Sequence, residues 1–483
     1  MSKQNGVASS IMYKSMERYS TMAFQLIVQI VIARILSPSD FGIVAMMTVF
    51  INVAGVFIYN GFNMAVIQKK NADEKDFSTA LIINIIIGVT LYLLIYVTSP
   101  AIAYFYKEND LTICLRVLAL ILPIGSVYSI QSAILSRNMR YDTLFVCNLG
   151  GSILSGLLGV VSAIMGMGFW ALIIQQMSNI IIATLLILIK SDIRLRFAFV
   201  AKSAKEMFDF GWKLLVAGLI NVIYNELNSL VIGKKYTSSD LAFYTKGKTF
   251  PTALASGVDS ALQSVILSAL SRKQEDYEAL RSLMRKSMIV NTYVIMPAMA
   301  FMAIIAKPLT LLLLTEKWLP MVPFMQIICL TVAFHPIGTI STQALAAAGY
   351  SDIRLKMEFI KKPIGLLLLL VSLKYGPLAI AISAAVTSLI SFFIGIVACQ
   401  IYLHYPLISV FKEIFPSLLL SLFTGFVSLW FVFINISSIL IIIIQGLLFF
   451  TLYILLSKFF SLEGYGIIHN RIKDIYRKKI FRS

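Results

Sequence analysis

The stretch ARILSPSDFGIVAM, Ala33 to Met46, decides how this chain is read. It sets an arginine, a proline, two serines and an aspartate between two long apolar segments, too few residues for a domain and enough for a turn. Pro38 limits the end of the preceding helix. Ser39 or Asp40 is expected to accept the free amide hydrogens at the start of the next one. Arg34 is expected to reach from its helix end to the outer membrane interface. The stretch therefore reads as a helical hairpin. A faded copy, VIGKKYTSSDLAFYTKG from Val231 to Gly247, pairs Ser39, Asp40, Phe41 and Gly42 with Ser239, Asp240, Leu241 and Ala242.

The apolar segments on either side belong to a pattern that runs the length of the chain. Of 483 residues, 59% are hydrophobic and 13% charged, about half the charged share of a soluble domain. Runs near or above ~18 apolar residues recur, each long enough to cross hydrocarbon as a helix. Candidate spans are 15–36, 41–67, 77–99, 111–136, 144–166, 169–189, 208–232, 247–270, 288–315, 322–347, 359–374, 377–401, 414–434 and 437–458. The fifth and sixth require a tight hairpin at Gly166, Met167 and Gly168. The first carries Gln25 and Gln29 and ends at Arg34 without a small-residue cleavage site, so it reads as a membrane helix and not as a signal peptide.

A net charge of +18 does not indicate nucleic acid, because the basic residues lie in short tracts between spans. With fourteen spans, thirty of the 41 Lys and Arg fall on the side that holds both termini and nine on the other. This asymmetry predicts that both termini are cytoplasmic. The four cysteines lie inside apolar segments without metal or disulfide spacing and read as inert. Between Ser271 and Ser287, Leu280, Leu283 and Met284 share one helical face. That spacing fits an amphipathic helix lying along the membrane surface, with a solvated linker as the alternative.

Two further echoes follow the first in order. VSAIMGMGFWALI (161–173) resembles VSLKYGPLAIAI (371–382), and the 131–140 region resembles 343–354. The repeat unit is then six helices, and an even number places both copies in the same orientation, related by an axis along the membrane normal. The expected fold is an all-α polytopic membrane protein of fourteen transmembrane helices: two six-helix lobes related by a pseudo-twofold, plus two C-terminal helices. Its parts are an N-terminal lobe at 1–190, a cytoplasmic linker at 191–207, a second lobe at 208–401, two added helices at 402–460 and a basic tail at 461–483.

Glu17 and Arg18, ARILSPSDFGIVAM, GFNMAVIQKK (61–70), SPAIAYFY (99–106), LRVLAL (115–120) and GMGFWALIIQQ (166–176) together resemble the oligosaccharide-flippase family of bacterial polysaccharide biosynthesis. That family is part of the multidrug, oligosaccharidyl-lipid and polysaccharide exporter superfamily. The match is dense over residues 1–200 and diffuse beyond. The resemblance implies a transporter of the bacterial cytoplasmic membrane that moves undecaprenyl-pyrophosphate-linked oligosaccharide to the outer leaflet. It also implies company with the polymerase and chain-length machinery of the same pathway. Two positions depart from the family: Asn60 stands where an acid is often found, and Tyr13 where tryptophan is common.

Ionised residues inside spans are costly unless they line a cavity or pair. The candidate grips for a pyrophosphate are Arg18, Arg34, Arg116 and Lys213. Arg18 is the foremost, since a guanidinium forks onto phosphate oxygens, whereas Arg116 and Lys213 lie near span starts, where interfacial snorkelling is the alternative. Polar stripes suited to sugar hydroxyls are Gln25 and Gln29 on span one and Asn221, Asn225 and Asn228 on span seven, with interhelical hydrogen bonding as the alternative. Glu226, Asp259 and His335 are candidates for ion coupling; Glu226 is placed to touch either a cavity or a neighbouring helix, and for His335, followed by Pro336, an irregular helix with a satisfied imidazole is the alternative. No Gly-rich nucleotide loop and no metal-ligand cluster occurs, so no cofactor is expected. A membrane enzyme is disfavoured because the longest outer connection runs only from Pro100 to Asp110. A multidrug exporter and a teichoic- or teichuronic-acid precursor exporter remain as alternatives.

Overall fold

In the computed structural model, residues 2–69, 72–191, 198–270, 277–430 and 437–480 are described, with side chains omitted at 2–11, 258–277, 351, 472 and 475–480. All regular structure among them is helical. The helices are α1 Ser2–Ile35, α2 Pro38–Tyr59, α3 Phe62–Gln68, α4 Glu74–Tyr106, α5 Leu111–Leu118 and α6 Ile121–Arg137. They continue as α7 Tyr141–Ile164, α8 Trp170–Lys190, α9 Ala201–Lys235, α10 Ser238–Leu270, α11 Tyr277–Ile304 and α12 Ala306–Leu313. After a 3-10 turn at Glu316–Met321 come α13 Val322–Ala347, α14 Ser351–Ser372, α15 Pro377–Leu403, α16 Leu407–Leu429, α17 Ser438–Phe459 and α18 Glu463–Ile480.

Eleven helical segments among the described residues are long and apolar enough to cross a membrane. The chain is a multi-pass membrane protein. Large apolar side chains stand exposed along α4 (Leu93, Leu94, Val97), α14 (Phe359, Leu367, Leu370) and α17 (Leu447, Ile454, Leu455), which is the surface a hydrocarbon solvent requires. α1, α10 and α14 coincide with expected spans but are not among the eleven. The apolar run of α1 is broken by Arg18, Gln25, Gln29 and Arg34 and that of α14 by Arg354, Lys356, Glu358, Lys361 and Lys362, while the side chains of α10 are described only as far as residue 257. A count of fourteen crossings needs these three helices as well.

The chain divides into two compact units, Met1–Ala242 and Phe243–Ser483. In the first, α6 packs its buried face, Ile130, Ala133 and Ile134, against Phe62, Ala65 and Val66 of α3 and Ala80 and Leu81 of α4. In the second, α11, α13, α14 and α15 share a core that includes Met284, Ile340, Met357 and Ile396. The amphipathic surface helix expected at 271–287 is not what forms: residues 271–276 lie outside the described residues, and from Tyr277 the chain is the start of α11. Leu280 and Met284 are 1% and 0% exposed in that core. Their spacing signals a helix face, and partner helices cover it where a membrane surface was expected. The basic tail leads into α18, and Leu462 just before it with Tyr465 and Ile468 in its first turns dock on Tyr293, Leu420 and Tyr453.

The hairpin at Ala33–Met46 forms, but its cap sits one position group earlier than Ser39 or Asp40. Ser37 is the N-cap, accepting from the Asp40 amide at 3.3 Å, while the Asp40 carboxylate accepts from the Ser37 amide at 2.9 Å. Pro38 occupies the first helical position, where a missing amide hydrogen costs nothing. The copy repeats the device: Thr237 accepts from the Asp40-like Asp240 amide at 3.1 Å and its own amide donates to the Asp240 carboxylate at 3.1 Å. The two caps touch. A Cβ on Gly42 would lie 1.8 Å from the Ser238 carbonyl oxygen, so only glycine fits there.

The other echoes have the same local geometry. Gly166 and Gly376 both take positive φ, 77° and 99°, where glycine is unstrained, ending α7 and α14 before the next helix. Met139 and Gly349 likewise have φ of 55° and 89°. There the Arg140 amide donates to Leu135 O and the Tyr350 amide to Leu345 O, each at 2.9 Å, the six-to-one closure of a helix C-terminus.

Candidate functional site

On α1, Glu17, Thr21, Gln25 and Gln29 recur every four residues and so share one face. α7 can approach α1 and α8 closely because its contact positions are small: a Cβ on Gly156 would lie 2.6 Å from Val28 Cγ2, and one on Gly159 2.8 Å from Gln175 Cβ. A polar seam fills the junction. The Asn148 amide donates to Glu17 Oε1 at 2.5 Å and Tyr128 OH donates to Asn148 Oδ1 at 2.5 Å. Gln25 Nε2 reaches Ser152 Oγ at 3.5 Å, and Asn179 Nδ2 donates to Ser155 Oγ at 3.1 Å. Gln29 Nε2 donates to Gln175 Oε1 at 3.0 Å. Both glutamines expected in a sugar path thus engage neighbouring helices; Gln29 is half-buried and Gln25 keeps an exposed side. Arg18, one residue on from Glu17, is turned away by about 100° and is exposed, with no ion pair among the described residues.

The second polar group lies on α9. This helix packs on α2, α3 and α4 through glycines: a Cβ on Gly211 would lie 3.1 Å from Gly61 O, one on Gly218 2.7 Å from Asn60 Nδ2, and one on Gly233 2.9 Å from Tyr106. The contacts run antiparallel along α2, and polar ties punctuate them. Asn52 Nδ2 donates to Glu226 Oε1 at 2.8 Å, so the half-buried Glu226 touches a neighbouring helix. Lys69 bridges Asp76 at 2.8 Å and Glu206 at 3.0 Å, and its hydrogen bond to Asp76 raises the lysine above its ordinary range. Arg137 Nη1 donates to Val66 O at 3.0 Å and Ile67 O at 3.3 Å, closing the C-terminus of α3. The opposite face of α9 is left open: Lys213, Asn221 and Asn225 are exposed, and Asn228 is half-buried.

The remaining expected residues fall elsewhere. Arg116 is committed to α4, its Nε donating to Ser99 Oγ at 2.9 Å and its guanidinium 4.2 Å from the Tyr96 ring centroid. Arg34 is exposed in the last turn of α1, and His335 is exposed on α13 in the second unit. Asp259 is in α10, but its side chain lies outside the described residues. The four cysteines are free and buried, and no cluster fit for a metal occurs among the described residues. Asn148, Tyr128 and Ser152 escaped sequence reasoning. The four-residue period from Glu17 to Gln29 was the available signal, since such a stripe implies acceptors on a facing helix.

The model of a family described as polysaccharide biosynthesis protein matches residues 31–323, more than half of the chain. The chain belongs to that family. Among its relatives, an uncharacterized membrane protein in the cps region of Klebsiella pneumoniae is 22% identical over 75% of this chain and 75% of its own length. The teichuronic acid biosynthesis protein TuaB of Bacillus subtilis is 25% identical over 62% of each. Among solved structures, the lipid II flippase MurJ in an inward closed conformation superposes with a TM-score of 0.74 at 18% identity, covering 93% of this chain and 98% of that one. At that identity the likeness is one of fold, and this polysaccharide biosynthesis family member shares its helical architecture over nearly its full length.

Proposed function

We propose that this family member is a flippase that carries undecaprenyl-pyrophosphate-linked oligosaccharide from the cytoplasmic to the outer leaflet, feeding an exopolysaccharide, capsule or O-antigen-type polymer. The observation that carries the reading is the pair of exposed polar surfaces in a chain otherwise coated with apolar side chains: Arg18 and Gln25 on α1, and Lys213, Asn221 and Asn225 on α9. Such groups are costly against lipid and suited to a hydrated path for a sugar with phosphates. Amides offer both donors and acceptors to hydroxyl groups, and Arg18 offers a fork to phosphate. In this reading fourteen helices form two like-oriented six-helix lobes with two added helices, and both termini are cytoplasmic. Rocking of the lobes exposes the path to each side in turn, and the chain hands product to the polymerase. It performs no covalent chemistry. The relation to TuaB supports a second reading, in which the polymer is of the teichuronic type.

Reconstitution in liposomes with the lipid-linked unit tests the proposal, scoring outer-leaflet appearance under imposed proton and sodium gradients. Faster appearance than in protein-free vesicles is expected. No acceleration under any gradient, with substrate verified, refutes it.

A further inference from the structure

In the second unit a cavity of about 230 Å³ opens between the starts of α11, α16 and α18, lined by Arg285, Ser409, Lys412, Glu413, Ser417 and Glu463 among others. No span residue singled out for substrate lies there. Arg285 spends its whole fork in this place: Nη1 donates to Glu463 Oε1 at 2.7 Å, Nη2 donates to Glu463 Oε2, and Nε lies 3.3 Å from Glu413 Oε1. Tyr405, in the turn before α16, donates its hydroxyl to the same Glu413 Oε1. The other oxygen, Glu413 Oε2, is buried without a hydrogen-bond partner, and the side chain is 4% exposed.

Two carboxylates thus share one guanidinium. Lys412 also borders the cavity, but it makes no ion pair among the described residues and its side chain is exposed, so its charge is spent on water. With both acids ionised the buried Glu413 carboxylate keeps only the Arg285 Nε as a cationic contact, on a guanidinium it shares with Glu463, beside an oxygen that no donor reaches, an expensive arrangement for a buried carboxylate. Oε2 is closed off from solvent, which leaves no room for an ion or water against it. A proton on the carboxyl itself needs no room and balances the charge.

We propose that Glu413 is a proton-binding site, and that its bound proton holds the C-terminal helix α18 in place. Glu463, the first residue of α18, keeps both Arg285 terminal nitrogens only while Glu413 is neutral. Loss of the Glu413 proton creates a second full claimant on the guanidinium, drawing it from Glu463 toward the buried site. The rest of the α18 attachment is shallow: Leu462, Tyr465 and Ile468 pack on Tyr293, Leu420 and Tyr453, and Gly464 lies so close to Tyr293 that a Cβ would stand 2.8 Å from its ring. Burial, with the Glu413 contact second, pushes the Tyr405 phenol well above its ordinary range, so Tyr405 stays a donor and does not compete for the proton. The docked state binds the proton and the released state gives it up. Docking is therefore fully present at low pH and weakens as pH rises, with the released-to-docked ratio growing up to about tenfold per pH unit until the docked carboxyl itself titrates.

The test uses the full chain in lipid nanodiscs with Asn470→Cys spin-labelled; the native cysteines are buried. Label mobility is followed from roughly pH 5.5 to 9. The parent is expected to show an immobile label at low pH and a mobile fraction that climbs with pH. Glu413→Gln, a neutral isostere of the protonated acid, is expected to stay immobile throughout, and Glu463→Gln to be mobile throughout. A parent whose mobility is flat across the range overturns the proposal, whatever the variants do. So does a Glu413→Gln curve that follows the parent's.

Discussion

Replacing Gly42 with alanine tests whether the two copies of the hairpin hold each other in register. The added Cβ would stand 1.8 Å from the Ser238 carbonyl oxygen and 2.3 Å from its carbon, whereas an ordinary contact needs more than 3 Å, as the Cβ distances of 3.6 Å at Gly55 illustrate. The obstacle is backbone, at the capped first turn of α10, so no rotamer change relieves it. The hairpins must separate by over an ångström, which breaks either the packing of Phe41 and Leu241, 6% and 0% exposed, or the Thr237–Asp240 cap. Overpacking of this kind costs about 3 kcal/mol, to which a lost cap adds about 1 kcal/mol. For a unit of this size, roughly 2–4 °C per kcal/mol gives a fall in Tm near 10 °C. The assay is thermal stability of the detergent-solubilised protein by fluorescence-detected chromatography. Gly338→Ala serves as control, since its Cβ meets nothing within 4 Å and alanine in a helix gains about 0.5–1 kcal/mol. If Gly42→Ala melts with the parent, the close approach of the two hairpins is not real and the packing argument fails.

Gln29→Leu, which strands Gln175 Oε1 in the α1–α8 seam, should lower abundance, at a cost of about 0.6–2 kcal/mol. Asn225→Leu on the exposed face of α9 should leave abundance intact and slow export; loss of the protein from the membrane in step with export would make Asn225 structural instead. For Arg18, lysine should restore transport only in part and glutamine less, and equal export rates for all three would remove its role. Lys69→Gln leaves Asp76, 4% exposed, without its cation and should cost about 1–3 kcal/mol, read as a lower Tm. A cysteine at Ser282, exposed on α11, should react with an impermeant reagent only from the cytoplasmic side; labelling in intact cells would invert the topology.

Membrane character, helix placement and the likeness of the paired turns were legible in the sequence because each depends on local composition. Apolar length, proline and glycine act within a turn or two of where they stand. Hence the hairpin at Gly166 to Gly168 and the ends of α6 and α13 lie where residue types put them. The expected cap at Ser39 or Asp40 missed by two or three residues, because Ser37, Ser39 and Asp40 all have acceptors and only backbone geometry chooses among them. Face assignment was legible as a period and not as a destination. Leu280 and Met284 mark one face of a helix whether it meets lipid headgroups or α13.

What the sequence by itself determined is the solvent: too few charged residues to face water, and apolar runs that must lie in hydrocarbon. It also determined the family, through short motifs at turns where few residue types fit. Only the tertiary structure decided which polar side chains are spent on other helices and which are open. Gln25, Gln29 and Asn225 look alike as amides on one helix face, yet Gln29 meets Gln175 while Asn225 stays exposed. Likewise, nothing local distinguishes Glu413 from any acid near a helix start. Its burial beside Arg285, Tyr405 and Glu463 joins residues up to 178 positions apart, and a partner at that distance leaves no periodic trace in the chain.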